Sequence, residues 1–176
     1  MKLRPFDPET DFDRIVSWNA DERAYAMWCA NRFRYPPDRS DFTGVLAAMA
    51  RRTGDVPLTA TTDDGRAAGF FCYSLNREKK EGKLKFVIVD PEVRGKGFAR
   101  EMLRLALAYA FRDPEAERVS LSVFSPNIRA KKCYEKAGFH ERSTDAGAFA
   151  FRDETWDRCN MVTEAAAAGA AASGNE

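Results

Sequence analysis

One short segment restricts the possible folds of this sequence more than any other. The run Phe86–Val89 is rich in strand-forming residues, it ends at Asp90-Pro91, and Gly95 and Gly97 then lead into a long amphipathic stretch. A strand that ends in a glycine-rich basic turn and continues as a helix collects unpaired N–H groups and the positive end of a helix dipole at one point. The segment therefore predicts an α/β arrangement with an anion site, most simply for a pyrophosphate, at this turn.

The same turn disfavours the common nucleotide ligands. A Walker A loop needs a lysine and a hydroxyl residue after its last glycine, whereas Gly97 is followed by Phe98-Ala99. A dinucleotide loop needs a third glycine, and Arg100 stands at that position. What remains is the pattern Arg-x-x-Gly-x-Ala over Arg94 to Ala99. Because glycine also serves any turn that needs a positive φ, this segment alone leaves an ordinary strand-to-helix connection open.

A second segment follows a further strand-like run, Arg118–Val123. Asn127 has the chemistry of a helix N-cap and Gly138 that of a residue just past a helix end, with apolar residues at helical spacing between them. Tyr134 lies two turns, roughly 10 Å, along the helix from Asn127, so both can contact one extended ligand. Taken singly, Asn127 is simply a cap and Tyr134 a core tyrosine.

Together, the two segments resemble the GNAT superfamily, the acyl-CoA-dependent N-acyltransferases, whose helix motif reads Asn-x-x-Ala-x-x-x-Tyr-x-x-x-Gly-Phe. The resemblance covers about residues 83 to 139. It implies an α/β (α+β) fold: a mixed, mostly antiparallel central sheet flanked by helices, with parallel, splayed strands at the CoA site. It also implies an acetyl-CoA-dependent N-acetyltransferase in which an amine attacks directly in a ternary complex. A CoA-binding regulatory module without turnover stays open as the alternative.

The resemblance assigns roles to individual residues. The loop N–H groups, with the Arg94 and Lys96 side chains, are expected to bind the pyrophosphate. Asn127 is expected at the pantetheine, and Tyr134 is expected to be catalytic, protonating the departing thiolate. Main-chain groups around Ile88 or Val89 are expected to polarise the carbonyl. The full set of expected cofactor-binding residues is Val87, Ile88, Val89, Arg94, Gly95, Lys96, Gly97, Phe98, Ala99, Asn127, Lys131 and Tyr134.

The base is not identified by the sequence. The strand before the loop carries no glutamate, and Asp90 at its end is a candidate, although Asp-Pro is also ordinary turn chemistry. Glu154 and Asp21 are weaker candidates, and solvent is another.

The acceptor amine is not identified either. The acceptor side is expected in the N-terminal third. Its aromatic residues have a second explanation, because residues of this kind more often belong to a hydrophobic core. They are Trp18, Tyr25, Trp28, Phe33 and Tyr35. The phrases at 86–91 and 153–161 most resemble the branch with the ribosomal-protein N-terminal alanine acetyltransferases, which also includes enzymes for polyamines, amino sugars and antibiotics.

Composition sets further limits. The 176 residues predict a single catalytic domain over 1–163, followed by an alanine-rich tail over 164–176 for which a frayed helix and disorder are both open. A net charge of +1 predicts no nucleic-acid partner, and the absence of a long apolar run predicts a cytoplasmic protein without a membrane contact. We expect a monomer or homodimer.

The four cysteines have no paired spacing. This predicts reduced thiols, with neither a metal site nor a disulfide framework. Cys133 is not expected to act as a nucleophile, because the single histidine, His140, follows at the start of a strand.

The hydrophobic pattern and turn residues predict the remaining elements. Strands are predicted at 2–6, 57–62, 67–75, 84–89, 118–123, 140–143, 148–151 and 154–162, and helices at 8–18, 21–29, 41–52, 99–112 and after Asn127. The charged segment 77–83 is predicted to be a hairpin loop.

Overall fold

The computed structural model describes residues 1–165. Its strands are β1 (Lys2–Pro5), β2 (Val56–Thr61), β3 (Ala67–Asn76), β4 (Glu81–Val89), β5 (Arg118–Phe124), β6 (His140–Phe151) and β7 (Glu154–Glu164). Its helices are α1 (Pro8–Ser17), α2 (Glu22–Cys29), α3 (Arg39–Thr53), α4 (Phe98–Ala110) and α5 (Ile128–Lys136), with a 3-10 turn at Pro91–Val93. None of these helices has both the length and the apolar character needed to cross a bilayer.

The strands form a seven-stranded sheet in the order β1-β2-β3-β4-β5-β7-β6. The sheet is mostly antiparallel, and β4 and β5 form its parallel pair, with Glu81–Lys83 opposite Arg118–Ser120. These observations confirm the predicted fold class, a mostly antiparallel sheet with a parallel strand pair. The parallel ladder lies at the beginning of both strands.

The chain divides into two compact units. The first contains Met1–Ser74 and Lys85–Ala99, and the second contains Leu75–Leu84 and the chain from Arg100 onward. Carboxylate caps set the helix starts in the first unit: Asp7, Asp21 and Asp38 each accept a main-chain N–H of the first turn of the helix that follows. The core of this unit is aromatic, and its buried members include Phe12, Tyr25, Phe33, Phe42 and Phe70.

The second unit has its own buried side chains on α4, β5 and β7, among them Met102, Leu103, Val119, Leu121 and Met161. Near the turn between β6 and β7, Trp156 stacks on Phe149 and on Phe151, with ring centroids 5.4 Å apart in both pairs. Arg152, in that turn, has a φ of 52°, and the strands predicted on either side of it pair in antiparallel fashion.

Several predicted element bounds differ from those in the structure. β4 begins at Glu81, because the main chain of Glu81–Lys83 pairs with β5 despite the charges, so the loop covers 77–80. β6 is one strand rather than two, since register shifts at Glu141/Ser143 and Asp145/Phe149 absorb the interruption. α4 ends at Ala110 rather than Arg112.

The domain boundary placed at 163 falls inside β7, which runs to Glu164. The Ala165 N–H donates to the Glu117 carbonyl, at 3.3 Å. The rest of the predicted alanine-rich tail, 166–176, lies outside the described residues.

Candidate active site

The backbone of the loop between β4 and α4 depends on its two glycines. Gly95 and Gly97 have φ values of 81° and 83°, in the left-handed region that side-chain-bearing residues rarely adopt. A Cβ atom at either position would meet nothing within 4 Å, so backbone conformation, not space, requires glycine here. Because α4 begins at Phe98, directly after Gly97, its first-turn N–H groups have no partner within the helix. This is the backbone arrangement that binds a phosphate.

Arg94 ties this loop to the surrounding main chain. Its Nε donates to the Val89 carbonyl at 3.0 Å, and a terminal nitrogen lies 3.4 Å from the Trp18 carbonyl at the end of α1. The side chain therefore fixes the position of the loop. Lys96 is exposed at the tip. Phosphate binding by Arg94 and Lys96 stays a prediction.

Asp90 fixes the first residue of the loop. Its N–H donates to the Ala68 carbonyl at 2.9 Å, one carboxylate oxygen accepts the Glu92 N–H at 2.9 Å, and the other accepts from the Arg14 guanidinium at 2.6 Å. Arg14 also donates to the Ala67 carbonyl at 2.9 Å. The Asp90 side chain is 3% exposed. A carboxylate that caps a turn and pairs with a guanidinium fits a positioning role better than that of a base.

The strand that enters the loop has an irregular backbone. Phe86 has a φ of 54°, and its carbonyl accepts a hydrogen bond from the Trp28 indole Nε1 at 2.8 Å. Val87 is half-buried, and Ile88 and Val89 are buried. Polarisation of the acyl carbonyl by a main-chain group near Ile88 or Val89 stays a prediction.

Helix α5 carries the second predicted group of residues. The Asn127 side-chain oxygen accepts the Ala130 N–H at 3.2 Å and caps the helix. Tyr134 is 8% exposed, and its ring lies edge-on to that of Phe139, with centroids 6.2 Å apart. Burial, with a smaller effect of the Cys133 thiol, raises the pKa of the Tyr134 phenol above its ordinary value. The Tyr134 phenol therefore keeps its proton at neutral pH, and its role as the acid stays a prediction.

Lys131 lies on the same helix, and its ammonium is paired with an acid. Its Nζ lies 2.7 Å from a Glu141 carboxylate oxygen on β6, and both side chains are partly exposed. The pKa of Glu141 is lowered to about 2, mainly by the hydrogen bond from Lys131 and to a smaller extent by the hydrogen bond from Thr144. A phosphate bound by Lys131 would have to compete with this carboxylate.

The remaining candidates have structural contacts. Glu154 accepts from the Trp156 indole at 2.9 Å, and Asp21 caps α2. All four cysteines are free, and burial raises the pKa of the Cys133 thiol, which disfavours a thiolate there. Neither carboxylate is left without a structural role.

The aromatic residues expected on the acceptor side are mostly core. Trp18, Tyr25 and Phe33 are at most 5% exposed, whereas Tyr35 is 46% exposed. The Tyr25 hydroxyl is buried without a hydrogen-bond partner among residues 1–165.

The structure places the predicted residues in two groups. Val87–Val89 and the loop from Arg94 to Ala99 belong to the first unit, whereas Asn127, Lys131 and Tyr134 share α5 in the second. Sequence reasoning missed Arg14 as the partner of Asp90 and Trp28 as the partner of β4. Neither has a local motif: Arg14 contacts Asp90, 76 positions away, and Trp28 contacts Phe86, 58 positions away.

The model of the acetyltransferase (GNAT) family matches residues 13–139. The chain belongs to this family. The match includes both the glycine loop and the helix with Asn127 and Tyr134, so the resemblance seen in those two segments is confirmed.

Relatives and solved structures agree with this assignment. The chain is 38% identical over 130 residues to aminoglycoside N(6')-acetyltransferase type 1 of Klebsiella pneumoniae, covering 74% of this chain and 65% of that protein. It is 32% identical over 150 residues to the mycothiol acetyltransferase of Kineococcus radiotolerans, covering 82% and 44%. The chain thus spans less than two thirds of the length of either relative.

Among solved structures, the spermidine N-acetyltransferase of Vibrio cholerae in complex with CoA and spermine superposes with a TM-score of 0.79. The two chains are 20% identical, and the match covers 95% of this chain and 96% of that one. At this identity, the likeness concerns the fold.

Proposed function

We propose that this protein transfers the acetyl group of acetyl-CoA to a primary amine. The observation that carries the proposal is the loop from Arg94 to Ala99, in which two glycines with positive φ precede the start of α4. A backbone of this shape binds a diphosphate through N–H groups, without a metal ligand or a Walker lysine. The match to the acetyltransferase family and a structural neighbour in complex with CoA support CoA as the source of that diphosphate.

Each step of the reaction needs a separate group. The acceptor nitrogen attacks the thioester carbonyl carbon, the carbon–sulfur bond breaks, and the thiolate takes a proton while the amine loses one. We assign the proton donor to Tyr134, because it stands at the tyrosine position of the family motif on α5 and its buried phenol is protonated at neutral pH. Main-chain N–H groups near Ile88 and Val89 are assigned to the developing oxyanion. Since Asp90, Glu154 and Asp21 all have structural contacts, we assign the amine proton to solvent.

For the acceptor, we propose a small molecule with several amines. Support comes from relatives named for aminoglycosides and from a structural neighbour bound to spermine. The phrases at 86–91 and 153–161 suggested the ribosomal-protein alanine branch, but the relatives above are named for other acceptors. A protein N-terminus is therefore the second choice.

A thiol-release assay tests the proposal. The protein is incubated with acetyl-CoA and, separately, with spermidine, spermine, kanamycin and a peptide with an N-terminal alanine. We expect CoA release that depends on one of the first three amines, with the acetylated product seen by mass spectrometry. Release with the peptide alone would overturn the acceptor class. Saturable acetyl-CoA binding with no turnover on any amine would instead indicate a CoA-binding regulatory module.

A further inference from the structure

β4 loses its regular strand conformation at Phe86. The φ of 54° at this residue is in the left-handed region, which is strained for a bulky aromatic residue. Burial and exposure alternate over Gly82, Lys83 and Leu84, but the next three residues are all half-buried and Ile88 and Val89 are both buried. This kink at Phe86 therefore lies just before the residues expected at the thioester.

Trp28 on α2 holds this kink from the side. Its indole N–H donates to the Phe86 carbonyl at 2.8 Å, so a side chain satisfies a main-chain acceptor. The Phe86 ring packs against Phe33, with centroids 4.7 Å apart, and lies edge-on to Trp28 at 6.3 Å. Strained backbone persists where surrounding contacts over-determine it, and these contacts do so here.

Both flanks of the kink are fixed independently. On one side, Lys85 Nζ lies 2.7 and 2.9 Å from the two carboxylate oxygens of Asp55, whose side chain is 1% exposed. On the other side, Asp90 is bound to Arg14. The stretch from Phe86 to Val89 thus lies between two anchored residues, and the Trp28 indole N–H contacts it at the Phe86 carbonyl.

We propose that Trp28 is a positioning residue for acyl transfer. Its indole N–H keeps Phe86 in the left-handed conformation and so directs the main chain of Val87–Val89, the segment assigned to the acyl carbonyl. This inference rests on the proposed function and adds a residue to it. Trp28 acts through the backbone of β4, and the loop from Arg94 to Ala99 keeps its own contacts.

Trp28→Phe tests the proposal, because it removes the donor and keeps an aromatic ring. We expect kcat to fall roughly 10- to 100-fold, as for a misplaced reacting group, while the KM for acetyl-CoA changes less than about twofold. A merely structural role would lower the folded fraction and leave kcat per acetyl-CoA-binding site unchanged.

Two double variants provide a matched rescue. Trp28→Phe/Phe86→Gly and Trp28→Phe/Phe86→Ala both remove the Phe86 ring, but only glycine adopts positive φ without strain. We expect the glycine variant to regain most of the lost kcat and the alanine variant to regain none. Equal rescue by both, or a wild-type kcat in Trp28→Phe, would overturn the proposal. If Trp28→Phe does not fold, the single variants decide: kcat of Phe86→Gly should exceed that of Phe86→Ala by about threefold.

A readout without turnover separates this proposal from the proposed function. In amide NMR spectra, the resonances of Val87–Val89 should shift in Trp28→Phe and in its Phe86→Ala combination, and return toward wild type with Phe86→Gly. Unchanged Val87–Val89 resonances in Trp28→Phe would refute the proposed positioning role of Trp28, even if the enzyme were active. If the wild type turns over no amine, the proposed function fails and these spectra still decide whether Trp28 holds the kink.

Discussion

The glycine loop and helix α5 are the two segments that carry the family motif, and they are stabilised in opposite ways. The loop is exposed over Arg94 to Gly97, and its shape comes from two backbone conformations that glycine alone adopts easily. In α5, side chains fix the position: Asn127 caps the first turn and Tyr134 is buried near its end. In the loop the main chain is the proposed functional group, whereas in α5 it is a hydroxyl whose pKa is set by burial.

This difference predicts different kinds of damage. Removing the hydroxyl from α5 should slow chemistry and leave binding nearly intact. Changing a loop glycine, or the Asp90–Arg14 ion pair that we call the brace of the loop, should alter stability and acetyl-CoA affinity. The main-chain N–H groups of the loop would then point in other directions. Substitutions in the two segments therefore separate chemistry from binding.

The largest expected effect is that of Tyr134→Phe. Loss of a general acid should lower kcat about 100-fold with little change in the KM for acetyl-CoA. Because burial raises the pKa of this phenol, the protonated form is present at low and neutral pH and is lost only above the range of a free tyrosine. We thus expect no decline of wild-type kcat from Tyr134 below about pH 10.

Tyr109→Phe on α4 is the matched control for this prediction, since it removes the hydroxyl of a half-buried tyrosine in the same unit. Its kcat should stay within about twofold of wild type. Steady-state kinetics of both variants across pH give the comparison. A Tyr134→Phe protein with wild-type kcat at every pH would remove Tyr134 as the acid.

The next effect concerns the brace of the loop. Asp90→Asn keeps an oxygen for the Glu92 N–H but leaves Arg14 without its buried counter-charge. Because the Arg14 side chain is 34% exposed, we expect a loss of about 2 kcal/mol of unfolding free energy rather than the larger cost of a fully buried pair. Urea unfolding measures it.

Arg66→Met is the control for the brace, because it breaks an exposed ion pair to Glu92 in the same region, with side chains 40% and 71% exposed. Its cost should stay below about 1 kcal/mol. If the two variants were equally stable, the Asp90–Arg14 pair would not be what fixes the loop.

A smaller effect is expected from Gly97→Ala. The φ of 83° should make alanine cost about 1–2 kcal/mol, although its methyl group would have open space. Gly44→Ala, also in open space but within α3, should instead stabilise the protein by about 0.5–1 kcal/mol. Calorimetry with acetyl-CoA should show weaker binding for Gly97→Ala alone. The same sign of stability change in both variants would contradict the conformational explanation.

Sequence reasoning was most reliable where local chemistry decides the structure. The start of α5 directly after its cap Asn127 and the break between the strands predicted at 57–62 and 67–75 both depend on neighbouring residues. The prediction was wrong where a residue distant in sequence determines the structure. The charges of Glu81–Lys83 predicted a loop, but pairing with β5 makes this segment part of a strand. Sequence reasoning could not foresee the Phe86 kink either, because its determinant, Trp28, belongs to α2. The site residues named from the motif remain predictions, since contacts within the protein do not reveal what binds them.

The smallest expected effect concerns Lys131, and it tests directly whether a residue named from the motif binds acetyl-CoA. The contact between Lys131 and Glu141 would compete with a bound phosphate. The pKa of Glu141 is about 2, below its unfolded value, so the pair contributes stability above about pH 4.3 that is lost as pH falls toward 2. If Lys131 binds a CoA phosphate at pH 7, Glu141→Gln should lower the KM for acetyl-CoA about twofold and Lys131→Met should raise it by a similar factor. Lys132→Met, one position along, changes the same net charge and should leave KM unchanged. Equal KM values for the two methionine variants would show that the motif in α5 binds acetyl-CoA without Lys131, and the salt bridge to β6 would then be the whole role of this lysine.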